Sequence, residues 1–210
     1  MKPTRGQIIA HFLCLLPFLV LLIAYFNDSL TANPIQSLTL SSGRTAVNLL
    51  TFTMACRPVS NLFGLNAFFK IRIITGLYAF FYAVLHFFVF IGLDFGFNWV
   101  WILDEIQQKP FIQIGLIALI LLVPLTITSI NKVREKMGGS WQILHRVIFI
   151  VSFLVIVHYL MASKGDIVPP ILYGFILMVL LLLRLPPLNR LKFFPESVWL
   201  KKINNYLLKA

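Results

Sequence analysis

Three histidines in apolar surroundings are the residues of this chain best suited to chemistry. His145 and His158 lie thirteen residues apart in one apolar stretch, and His86 sits deep in an earlier one. An imidazole inside a membrane is unfavourable unless it has a partner, so an ionisable residue at that depth points to a functional site. Imidazole is also the usual protein ligand of haem iron. These positions therefore point towards a membrane-embedded redox centre. Two other uses of a buried histidine compete with that reading: a hydrogen bond to a neighbouring helix and a proton relay in a small transporter. His11, the fourth histidine, has no partner at matched depth and reads as a packing or inner-interface residue.

Other chemistries find little support. No catalytic triad, carboxylate pair or phosphate loop is legible, and no GxGxxG motif occurs. Cys14 and Cys56 form neither a CxxC nor a zinc-ligand spacing and read as small buried side chains. The seven acidic residues lie outside the apolar stretches or at their margins, whereas a transporter more often shows mid-membrane carboxylates or paired broken helices.

The elements that must hold the histidines follow from composition. The 210 residues are 59% hydrophobic and 12% charged, with a mean hydropathy of +0.89, far outside the range of a soluble domain. The pattern predicts an all-α membrane protein, a bundle of six transmembrane helices over roughly 8–26, 44–63, 70–92, 110–130, 141–162 and 168–185. Of the 18 Lys and Arg residues, only Arg44, Lys109 and Lys164 fall on the side of the second, fourth and sixth spans' starts. The positive-inside rule then places both termini in the cytoplasm, with residues 1–7 as a cytoplasmic N-terminus. The net charge of +11 is explained by this distribution, and no basic stripe with exposed aromatics points to nucleic acid. The first apolar run is too long for a usual signal-peptide core and reads as a retained helix. Pro17 and Pro124 fall inside spans as tolerated kinks. Gly92 and Gly96 form a weak small-xxx-small pair. No internal repeat or separate soluble domain is legible, and the basic tail 186–210 reads as a cytoplasmic segment lying on the inner leaflet.

Depth sorts the histidines. Spans three and five run in the same direction, and His86 and His158 both lie towards their outer ends, as bis-imidazole ligation of one haem requires. His145 lies near the inner face, roughly 20 Å from His158 at 1.5 Å per residue. Arg72 stands at the level of His145, where a second bis-histidine haem would want a histidine. It could face a haem propionate, occupy the iron's other side, or be an ordinary inner-edge cation. Thirteen residues on an ideal helix leave His145 and His158 about 140° apart, so they share a face only if span five is locally overwound or bulged. Arg44, at the outer edge, could meet a propionate or a partner, or simply anchor the interface.

The six-span layout resembles the ferric-reductase-like transmembrane family, with His86 on span three and His145 and His158 on span five. More narrowly it resembles the MsrQ (YedZ) family of haem-binding membrane subunits. The matching stretches are LLPF at 15–18, GRTA at 43–46, RIITGLYAFFYAVLH at 72–86 and TSINKVREKMGGSWQILHRVIFIVSFLVIVHY at 128–159. The resemblance implies b-type haem on His86 and His158, with His145 as a further ligand and one or two haems in all. It also implies FMN, electrons from the quinone pool or a cytoplasmic flavin reductase, and transfer across the bacterial inner membrane. The acceptor implied is MsrP, a periplasmic molybdenum-cofactor enzyme that reduces methionine sulfoxide in proteins. Arg72 stands where the wider family often has a fourth histidine, and the chain ends without a flavin or nicotinamide domain. The reading is thus an electron-transfer subunit and not the catalytic one. Its rivals are a stand-alone haem reductase of iron or another periplasmic acceptor, and a proton-coupled transporter.

Overall fold

The computed structural model describes residues 3–163, 165–185, 188 and 198–209, and the described residues are helices joined by turns. Helix α1 spans Arg5–Phe26, α2 Pro34–Phe63 and α3 Asn66–Phe88, the last continuing through a π-helical segment at Val89–Asp94. After it come α4 at Trp99–Gln108, α5 at Pro110–Ile127 and two short helices, α6 at Asn131–Met137 and α7 at Ser140–Leu144. Then follow α8 at Val147–Ala162, α9 at Val168–Leu182 and α10 at Val198–Leu208.

Local chemistry sets the helix ends. Thr4 and Gln7 form a reciprocal capping box at the start of α1. Proline opens α2 and α5, where its missing N–H would have no helical partner. Gly64 closes α2 at φ +70°, a left-handed conformation that glycine adopts without strain. The apolar side chains then face outwards: Phe12, Leu13, Ile23, Phe153 and Phe175 are all exposed. That is the pattern of helices whose solvent is lipid.

Among the described residues, four helical segments are long and apolar enough to cross a membrane: Arg5–Phe26, Asn66–Asp94, Pro110–Ile127 and Ser140–Ala162. Helix α2, with 30 residues, would reach about 45 Å, but it carries Arg44, Arg57 and many hydroxyls. Helix α9 is apolar but only 15 residues long, short of the roughly 20 that a bilayer asks for.

Helices α2, α3, α5, α8 and α9 form a ring in which each packs on the next and α9 returns to α2, while α1 leans on α3 and α2 from outside. Tyr82, fully buried, ties α1 to α3. Its hydroxyl accepts from Phe18 N–H at 2.8 Å and donates to the Cys14 carbonyl at 2.7 Å. The tyrosine thus replaces a helical rung beside Pro17, which is how a membrane helix tolerates such a kink.

Three elements differ from the sequence expectation. Helix α2 starts at Pro34 instead of 44, because its first turns are polar and carry no hydropathy signal. The expected fifth span is two helices, α7 and α8, parted at His145–Arg146. The connection after His86 contains α4, whose Trp99, Val100 and Trp101 are exposed. Of the tail 186–210, residues 186–187, 189–197 and 210 lie outside the described residues. Its helix α10 docks on the bundle: Arg5 N–H donates to the Lys209 carbonyl at 2.7 Å and Ala67 N–H to Asn204 Oδ1 at 3.0 Å.

Candidate functional site

At one end of the ring, His86 from α3 and His158 from α8 face each other, with ring centres 6.2 Å apart and planes at 82°. Each ring is held the same way. His86 Nδ1–H donates to the Thr39 carbonyl of α2 at 2.9 Å, and His158 Nδ1–H to the Phe111 carbonyl of α5 at 2.7 Å. A carbonyl can only accept, so the proton sits on Nδ1 and the lone pair on Nε2. An imidazole so fixed is in the tautomer that ligates a metal through Nε2.

A glycine one helical turn after each carbonyl makes room for the ring. A Cβ at Gly43 would lie 3.1 Å from His86 Nδ1, and one at Gly115 would lie 2.7 Å from His158 Nδ1. The separation of carbonyl and histidine is 47 residues in both hairpins, and the glycine falls at the same place in each. The pairs α2–α3 and α5–α8 are therefore the same cradle built twice. No sequence repeat announces it, because only a backbone carbonyl, a glycine and a histidine recur. A glycine inside an apolar helix was the available signal, since it weakens the helix and marks a close approach.

The opposite end differs. His145, between α7 and α8, sits with Arg72 of α3 on an open cavity of about 1060 Å³. Thr128 Oγ1 donates to the Pro124 carbonyl at 2.7 Å and so accepts from His145 Nε2–H at 3.0 Å. The Trp141 ring lies against the imidazole at 4.1 Å and its indole N–H donates to the Thr128 carbonyl. His145 is thereby held through Nε2, the reverse of His86 and His158. The chain around it is overwound: Arg146 and Phe149 N–H bond to carbonyls three residues back. His145 and His158 both reach towards α5, one near each end.

Two sequence-expected pairs are thus brought together, His86 with His158 and His145 with Arg72. Arg57, Arg146 and Arg184 also line the cavity; the charge pattern groups them with Arg72 on one expected face but does not put them in one cavity. His11 meets the Tyr78 hydroxyl at 3.2 Å on the outside of the bundle, a packing contact between α1 and α3.

Fold and site together define a multi-pass helical membrane protein with two facing imidazoles in its interior. The family described as ferric reductase like transmembrane component matches residues 12–157. A protein-methionine-sulfoxide reductase heme-binding subunit MsrQ from Herminiimonas arsenicoxydans is 40% identical over 173 residues, 81% of this chain and 79% of that one. The subunit of the same name from Bordetella parapertussis is 38% identical over 169 residues, 80% and 82% of the two chains. The one from Rhodospirillum rubrum is 36% identical over 186 residues, 88% and 89%. No solved structure matches at a significant level. The chain belongs to the ferric-reductase-like transmembrane family and, within it, to the MsrQ family.

Proposed function

We propose that this chain is a membrane b-type cytochrome. It relays electrons across the bacterial inner membrane to the periplasmic molybdenum-cofactor reductase MsrP, which reduces methionine sulfoxide in oxidised proteins. The observation that carries the reading is the facing pair His86 and His158, each with its Nδ1 proton committed to a carbonyl. The 6.2 Å between the ring centres leaves room for one metal ion that both imidazoles would hold. Among the described residues no group of three or more His, Cys, Asp or Glu side chains converges on a metal position. The residues that would hold a haem are His86 and His158, each through its uncommitted Nε2. The relatives' printed name, heme-binding subunit, supports the same ligand.

Bound haem would supply one-electron chemistry at a potential set by its ligands and burial. The protein's part is to hold both imidazoles in one tautomer and at one spacing, and to keep the interior dry. In this reading α1, α2, α3, α5, α8 and α9 are the six spans within 8–185. Residues 1–7, the tail 186–210 and the arginine-lined cavity then lie at the cytoplasmic face, following the charge distribution. The His145 and Arg72 end receives electrons from the quinone pool or a cytoplasmic flavin reductase, with FMN as the further cofactor the family resemblance implies. His145 would ligate a second iron through Nε2 only after releasing Thr128 Oγ1.

The reduced absorption spectrum of the purified, haem-supplied protein tests this. A sharp α-band that disappears in His86→Ala and in His158→Ala is expected, and a colourless wild type would end the proposal. Deleting the chain should leave periplasmic methionine sulfoxide reduction without electrons. Unchanged repair beside an intact spectrum would favour a stand-alone reductase of iron or another acceptor.

A further inference from the structure

The cavity at the His145 end has a charge that nothing in its own walls balances. Arg57, Arg72, Arg146 and Arg184 line it, and no Asp or Glu is among its described lining residues. Arg72 and Arg184 are half-buried on helices α3 and just past α9, while Arg57 and Arg146 stand at the open rim. One guanidinium nitrogen of Arg184 donates to the Met54 carbonyl at 2.7 Å, but its Nε is shut off from solvent and has no hydrogen-bond partner among the described residues. Gathering cations beside a low-dielectric interior is unfavourable unless an anion joins them.

The walls say more about that anion. Beside the arginines, the apolar side chains of Leu122, Leu125, Ile148 and Leu181 also line the cavity. Its volume of about 1060 Å³ far exceeds the space of a small inorganic ion. The ligand that fits therefore has an oxyanion head and an apolar or planar body. Guanidinium forks pair with carboxylate and phosphate alike, but a phosphate monoester offers three acceptor oxygens and close to two charges in one group. Several arginines converging on one cavity match that density better than a single carboxylate does.

We propose that this cavity is a phosphate-binding site, with Arg57, Arg72 and Arg184 holding the phosphate of a ligand whose apolar body lies against Leu122, Leu125 and Leu181. The binding stands on the cavity itself; only its role, as the place where electrons are received, rests on the relay reading above. Two sources carry this chemistry: the headgroup of an anionic membrane lipid, and a soluble phosphate ester reaching the cavity from its open side.

The full-length protein separates them. For the soluble source, flavin mononucleotide is titrated by fluorescence quenching, with inorganic phosphate as competitor. For the lipid source, native mass spectrometry compares retention of phosphatidic acid, whose headgroup is a phosphate monoester, with that of phosphatidylcholine. At least one probe should bind wild type about tenfold or more tightly than Arg57→Gln/Arg184→Gln, the loss expected when charged hydrogen bonds are removed. Competition by inorganic phosphate assigns the soluble source, and selective retention of phosphatidic acid assigns the lipid. Because Arg184 also bonds Met54, the rim variant Arg57→Gln alone carries the comparison if the double variant does not fold. Equal behaviour of wild type and variant towards every probe would overturn the proposal. So would a haem-to-protein ratio of two that falls to one in the variant without any phosphate binding, since that marks the carboxylates of a second haem. The α-band is read on the same samples: its absence in wild type counts against the relay reading and leaves the binding result standing.

Discussion

The two ends of the helical ring hold their histidines in opposite ways. At the His86–His158 end both rings are pinned by Nδ1 to a helix carbonyl, pressed against a glycine, and left with a free Nε2. At the His145 end the Nε2 is already committed to Thr128, the side chain sharing the space is Arg72, and that space is open and cationic. An imidazole inside a membrane is thus not one kind of site. The bond made by its other nitrogen decides whether it is prepared for a metal, and the neighbouring helix's residue type decides how closely it can seat.

The largest effect that tests this contrast is ligand deletion. His86→Ala or His158→Ala should remove more than about nine-tenths of the haem absorbance per protein, while His145→Ala should retain most of it. Equal losses at all three positions would erase the distinction between the ends. A smaller and graded effect is expected from the glycines. In Gly115→Ala the new methyl would sit 2.7 Å from His158 Nδ1, too close for any contact, so the ring must move and most haem should be lost. In Gly43→Ala the distance to His86 is 3.1 Å, so partial occupancy and a shifted reduction potential are expected. A reversed order would mean that the room behind each ring does not set haem occupancy.

Tyr82→Phe comes next. It leaves Phe18 N–H and the Cys14 carbonyl without their bridge and should lower stability by about 1–3 kcal/mol. Thermal unfolding followed by circular dichroism reads that loss, and the haem spectrum should stay unchanged because Tyr82 bonds neither histidine. Thr128→Val is the mildest change. It removes the acceptor for His145 Nε2 and should lower stability by about 1 kcal/mol, with no change at the α-band. A new spectral component in that variant would instead show that freeing Nε2 lets His145 take an iron.

Hydropathy made the membrane class and most of the spans legible, because apolar runs long enough for a bilayer are a property of composition and length alone. The depth of His86 and His158 was legible too, since 1.5 Å per residue on parallel helices fixes level without any knowledge of packing. The polar start of α2 was not, as Ser, Thr and Gln between 36 and 45 carry no hydropathy signal although they continue the helix. For the same reason Thr39 and Gly43 fell outside the expected span.

What the sequence by itself determined is therefore a multi-pass membrane protein of the MsrQ family, with basic residues concentrated in alternate connections and two histidines at one level. Only the tertiary structure decided that those histidines meet, that backbone carbonyls set both tautomers, and that four arginines from four parts of the chain line one cavity. The physical reason is that rise and hydropathy are local, whereas a tautomer depends on the atom across the interface. A cavity's charge likewise belongs to whichever helix ends the packing brings together.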